Sequence, residues 1–169
     1  MKKGSIAYSV LGMAVVLSAW LMNGCSPAGS TPVSMGELDG LQLYNLDSTQ
    51  FKFTKGDMRG SLMAVVFNPG CEHCQAQAEE FHRHMDQLQD VTIIMIGSVP
   101  LQQLRDFSEK YQLSGFKNMR FAYASPVNVL NLWQIHNIPH IVLYDKDLKP
   151  VKTFAGPTAV DKLLAGIKK

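Results

Sequence analysis

The sequence has little cysteine, little net charge and no internal repeat. Its 169 residues contain three cysteines, and 16 basic residues oppose 14 acidic ones. No basic patch is present to meet nucleic acid, and no acidic tail to meet a cationic partner. Three cysteines are too few for a stapling framework of disulfides. There is no glycine-rich loop to cradle phosphate and no Ser/His/Asp signature. What remains to carry chemistry is a small set of cysteines and histidines in a chain that is 46% hydrophobic.

The leading residues read as an export signal rather than as part of a fold. Lys2 and Lys3 give a basic start, Ile6 to Met22 is nearly all apolar or small, and the run ends at Gly24-Cys25. A cysteine directly after that small residue resembles the lipobox of bacterial lipoproteins, which implies cleavage before Cys25 and lipidation of its thiol. Asn23 departs from the usual small or β-branched residue of a lipobox. An uncleaved signal anchor is the alternative, because about 17 apolar residues just span a bilayer. Either way the domain is exported and membrane-tethered. The organisation expected is a signal peptide over 1–24, a Ser/Pro/Gly/Thr-rich flexible tether over 25–40, and one domain over 41–169. The two lysines are the only charges before Cys25, so the mature chain carries 14 basic and 14 acidic residues.

With Cys25 assigned to lipid, Cys71 and Cys74 remain as one C-x-x-C pair. A disulfide closing so short a loop restrains the unfolded chain little, so stability is a weak reason for it. The alternatives are a redox pair, a metal clamp or two inert thiols. Surroundings help to choose among them. Leu62 to Phe67 reads as a strand buried on both faces. Beyond the pair, Cys74, Ala78, Phe81, Met85 and Leu88 fall on one helical stripe. The cysteines therefore open a helix, where orphan backbone N–H groups and the helix dipole favour a thiolate, the nucleophilic form. In this arrangement Cys71 attacks a disulfide and Cys74 resolves the mixed disulfide.

The rest of the chain reads as α/β. Leu41 to Phe53 predicts a short hairpin, "VTIIMIG" a buried strand, and Leu101 to Tyr111 a helix entered at Pro100. "MRFAYA" predicts a strand, Val127 to Ile135 a helix, and "IVLYD" and "PVKTFAG" two strands joined by a turn. Val160 to Ile167 forms a closing amphipathic helix. The expectation is a mixed central sheet flanked by helices.

Three segments, "LYNLDSTQFKF", "GSLMAVVFNPGCEHC" and "NIPHIVLYDKDLKPVKTFAG", resemble the thioredoxin fold, and more narrowly the TlpA/ResA-like thiol-disulfide oxidoreductases of bacterial envelopes. The resemblance spans roughly Leu41 to Lys169. It implies that Pro139 is a cis-proline facing the cysteines and that Ile138 pairs its backbone with a bound peptide. It implies no organic cofactor beyond the redox-active Cys71–Cys74 disulfide. The implied partners are envelope protein thiols or disulfides and a membrane electron donor, with reduction as the favoured direction. Three positions depart from the family. Gly70 stands where tryptophan is usual, His140 where threonine often follows the cis-proline, and Val65 where thioredoxin itself keeps a buried aspartate that assists proton transfer. A peroxiredoxin is set aside because "VFNPGC" has no threonine.

Glu72 and His73, between the cysteines, tune the pair. A histidine before the second cysteine stabilises the reduced form, and the glutamate offsets part of that. His82, His84, Glu79 and Glu80 read as solvent face, and Trp133, Met63, Met85 and Met95 as core. The alternative function is copper binding or delivery through Cys71, Cys74 and His140. Otherwise no metal site is expected.

Overall fold

The computed structural model describes Leu38 and residues 41–167. The predicted signal peptide, the lipidation site Cys25 and, apart from Leu38, the tether lie outside the described residues. Among the described residues no helix is long and apolar enough to cross a membrane.

Seven strands form one sheet in the order β2-β1-β5-β4-β3-β6-β7. They are β1 (Leu43–Tyr44), β2 (Gln50–Phe51), β3 (Ser61–Phe67), β4 (Val91–Gly97), β5 (Met119–Tyr123), β6 (His140–Tyr144) and β7 (Pro150–Ala155). Strands β3, β4 and β5 run parallel, while β6 pairs antiparallel with β3 and β7 with β6. The short β1–β2 hairpin adds to the far side through Tyr44 opposite Tyr123. Four helices are described: α1 (Glu72–Arg83), α2 (Leu101–Lys110), α3 (Pro126–Trp133) and α4 (Val160–Ile167).

The central strands are apolar at nearly every position because both of their faces are covered. Met63, Val65, Phe67, Ile93, Met95, Ile141 and Leu143 face one core, shared with the inward sides of α1, α2 and α4. Leu62, Ala64, Val66, Ile94, Ile96, Val142 and Tyr144 face the other, closed by Val129 and Trp133 of α3 and by Leu41 and Phe53. The alternation of strand side chains thus assigns each residue to a layer. Trp133 donates its indole N–H to Tyr144 Oη at 3.2 Å, which satisfies the polar tip of a buried ring.

The predicted stripe on the cysteine-bearing helix is buried throughout, but α1 itself stops at Arg83. His84 leaves the α region, and Met85–Leu88 continue as a 3₁₀ turn that still presents Met85 and Leu88 inward. Pro100 occupies the N-cap of α2. Buried Asn118 holds the layer together where that 3₁₀ turn meets β4. Its Nδ2 donates to the carbonyls of Leu88 at 2.8 Å and Val91 at 3.0 Å, and its own carbonyl accepts from Ile93 N–H at 2.7 Å.

Replacing Asn118 by alanine strands two buried carbonyls. The expected cost is about 2 kcal/mol. It is read as a lowered urea midpoint with an unchanged slope.

Candidate active site

The loop from β3 to α1, Asn68 to Cys71, is folded by its own sequence. Asn68 Oδ1 accepts from Gly70 N–H at 2.8 Å, and Asn68 carbonyl accepts from Cys71 N–H at 3.0 Å. This is the local side-chain-to-backbone turn that asparagine favours. Pro69 brings no N–H to satisfy, and its carbonyl accepts from Gln75 Nε2 at 2.9 Å. Cys71 is then the N-cap of α1, with its carbonyl accepting from Cys74 and Gln75 N–H, both at 3.0 Å.

Both cysteines are free thiols. Cys71 is half-buried, whereas Cys74 is buried in the core on the α1 side of the sheet. Burial pushes the Cys74 thiol from its ordinary 9.0 up to about 12. The Asn68 backbone N–H acts against that rise, and the adjoining Cys71 side chain adds to it. Val65, where thioredoxin itself keeps a buried aspartate, is fully buried in the same core, so it offers Cys74 no proton acceptor.

The Ile138–Pro139 bond is cis, as the resemblance implied. The Cys71 thiol donates to the Ile138 carbonyl across 3.9 Å, a long sulfur contact. Two segments 67 residues apart in sequence therefore meet at the cysteine pair. Glu72 and His73 stand exposed in the first turn of α1.

His140 is brought to a different place. It opens β6 opposite Val66 and shares the alternation of Val142, so it faces the sheet side opposite Cys74. Burial keeps its imidazole neutral to lower pH than an exposed histidine, and His136 nearby acts the same way. Cys71, Cys74 and His140 are not assembled as a ligand set. Among the described residues no three His, Cys, Asp or Glu side chains group as metal ligands.

Glu80 is a correction. Expected on the solvent face, its side chain is 18% exposed, and Oε1 accepts from Val160 N–H at 3.0 Å, where α4 begins with orphan donors. Oε2 pairs with Arg83 at 2.9 Å and lies 3.7 Å from His84. Glu79 is exposed as expected. Sequence reasoning passed over Gln77, which is buried and bound to Thr158. Its signal was present: Gln77 lies beside Ala78 and one turn beyond Cys74, a polar residue on an otherwise apolar stripe.

Two hollows open near the carboxyl ends of the parallel strands. One of about 300 Å³ abuts the cysteine loop between Pro69, Gly70, the α2 residues Asp106, Phe107 and Lys110, and Tyr111 at the C-cap of α2. A larger one of about 750 Å³ lies beyond β4, walled by Tyr44, Ser98, Tyr123 and Asn128.

Iodoacetamide at pH 8 is expected to add once to the reduced Cys25→Ser protein, at half-buried Cys71. With Cys71→Ser added, buried Cys74 is expected to react far more slowly than Cys71 does at the same pH. Intact-mass spectrometry reads both results, and prompt double modification of the Cys25→Ser protein at pH 8 would contradict the burial of Cys74. The sign for stability follows from the same shift. The unfolded chain releases this proton near 9.0 and the folded dithiol near 12, so the reduced protein loses stability as pH rises through that window and keeps it below.

No protein-family model matches the chain, and no curated protein matches it in sequence. Solved structures do match its fold. A secreted disulfide oxidoreductase of Mycobacterium tuberculosis, described as homologous to E. coli DsbE, aligns with TM-score 0.63 at 18% identity, over 79% of this chain and 97% of that one. A thioredoxin-like protein from Aeropyrum pernix aligns with TM-score 0.61 at 15% identity, over 75% and 87%. The exposed lipoprotein thioredoxin of Streptococcus pneumoniae aligns with TM-score 0.55 at 19% identity, over 73% and 94%. With a mixed seven-stranded sheet, helices on both of its faces and these structural neighbours, the chain is an α/β protein of thioredoxin-like fold.

Proposed function

We propose that the protein is a membrane-tethered thiol-disulfide oxidoreductase of the cell envelope, acting as a reductant of protein disulfides through Cys71 and Cys74. The observation that carries this reading is the junction of a half-exposed Cys71 at a helix N-terminus, a buried Cys74 beside it and the Ile138 carbonyl preceding cis-Pro139. One half-exposed sulfur backed by one buried sulfur is the asymmetry that two-step exchange requires. Export is supported by the leader-like Lys2 to Cys25 segment and by the secreted and exposed-lipoprotein character of two structural neighbours.

In the reducing direction, the Cys71 thiolate attacks one sulfur of a partner disulfide. A Cys71–partner disulfide forms, and the partner's other sulfur leaves as a thiolate that takes up a proton. Cys74 then gives its proton to water and attacks Cys71 Sγ. The Cys71–Cys74 disulfide forms, the partner leaves as a dithiol, and two electrons have passed to it. A membrane dithiol donor returns the pair to the reduced state. Substrate backbone pairs with Ile138, and the hollow beside Pro69 and Gly70 accommodates side chains flanking the attacked cysteine.

Equilibration of the full chain in detergent with glutathione buffers tests both the couple and its direction. A potential near or below about −270 mV, the thioredoxin scale, marks a reductant. A value near about −120 mV turns the protein into a disulfide donor, and the absence of a reversible two-electron couple removes the oxidoreductase reading. In parallel, Cys71→Ser abolishes exchange, and Cys74→Ser accumulates mixed disulfides with partners, visible on non-reducing gels.

A further inference from the structure

We infer that Gln77 is a positioning residue for exchange: its amide ties the helix bearing the cysteines to the loop that holds Pro139, and so sets the Ile138 carbonyl against Cys71. The inference rests on the oxidoreductase reading and names a residue which that reading does not use.

Gln77 is 1% exposed, in the second turn of α1. A buried primary amide is costly unless both of its ends are bonded. Here both ends serve one residue. Nε2 donates to the Thr158 carbonyl at 3.1 Å, and Oε1 accepts from Thr158 N–H at 2.7 Å. The amide thus pairs with Thr158 as a neighbouring strand would, in a loop that has left the sheet after β7.

That loop leads directly to the proline. Gly156, at φ +104° where a side chain would be strained, donates its N–H to the Pro139 carbonyl at 2.8 Å. Thr158 Oγ1 donates to the Gly156 carbonyl at 3.1 Å and braces the turn. The contacts close a ring: Cys71 to Gln77 along α1, Gln77 to Thr158, Thr158 to Gly156, Gly156 to Pro139, and Ile138 back to Cys71 Sγ at 3.9 Å. Glu80 makes a second tie from α1 one turn on, to Val160 N–H at the start of α4, and bonds neither Thr158 nor Gly156, the members of the ring. The two ties therefore separate positioning from stability.

A substrate polypeptide needs Cys71 and the Ile138 backbone in register, whereas a small disulfide needs only Cys71. The test compares reduction of a disulfide-bonded peptide with reduction of dithiobis(nitrobenzoate) by the full-length dithiol protein. Gln77→Leu, of similar volume and without hydrogen bonds, is expected to slow the peptide reaction by about tenfold or more and the small-disulfide reaction by less than about threefold. Gln77→Glu keeps the acceptor for Thr158 N–H, loses the donor to its carbonyl, and should fall between. Glu80→Ala should lower the melting temperature and leave the ratio of the two rates at the wild-type value.

If Gln77→Leu and Gln77→Glu both keep the wild-type ratio, the inference is overturned and Gln77 is only a packing residue. Should the leucine variant fail to fold, the glutamate variant decides by the same ratio. A wild-type protein that reduces neither disulfide brings down the oxidoreductase reading, and this inference with it, which is a different outcome from an unchanged ratio in an active protein.

Discussion

The site depends on one register: Val66 of β3 opposite His140 of β6. Strand β3 leaves the sheet one residue after Val66, and its exit loop carries Cys71. Strand β6 enters at His140, directly after the cis-proline. Antiparallel pairing at this end brings an exit and an entry together, so Cys71 and Ile138 meet although neither lies in the sheet. A slip of one residue would invert every side chain of β6 between the two cores and separate the cysteine from the carbonyl. Leu143 and Ile141 on one face, with Val142 and Tyr144 on the other, oppose such a slip because all four are buried.

The two thiols divide exposure and burial through helix geometry alone. Cys71 caps α1, and Cys74, on the inward stripe with Ala78 and Phe81, is sealed in the core. Burial that stabilises the core also holds the Cys74 proton, so in the exchange proposed above its attack must be preceded by proton loss. Val65 cannot take that proton. Exposed Glu72 and His73 lie toward solvent rather than in the core around Cys74. The consequence is a pair of thiols in different surroundings: Cys71 at the loop surface, Cys74 in the core.

Most of the fold was legible in the sequence because its strands are short apolar runs bounded by turns, and its helices keep one apolar stripe. Val91–Gly97 and the stripe from Cys74 to Leu88 were readable for that reason. The cysteines and Pro139 were readable as a motif, since their chemistry is carried by residue type and spacing. What was not legible were the contacts made across the fold by single polar side chains. Glu80 reads as a solvent residue until α4 is laid over it. His140 follows the proline in sequence and so reads as a neighbour of the cysteines, yet strand alternation turns it to the other face. Gln77 gave a signal, a polar residue on an apolar stripe, but its partner is a backbone group 81 residues away, and no local pattern names it.

This division between motif and framework also sets where the chemistry can vary. Glu72 and His73 are exposed in the first turn of α1 and take no part in either core, so replacing them alters the charge around Cys71 and leaves the core packing intact. Gly70 N–H and the Pro69 carbonyl are held by the side chains of Asn68 and Gln75, and both residues line the neighbouring hollow. The inward residues lack that freedom. Gln77 must bond both groups of Thr158, Gly156 must take a positive φ, and Val66 must oppose His140. Under the function proposed above, redox tuning and substrate choice sit on the outer side of α1 and its loop, while the inner side fixes the geometry against which both operate.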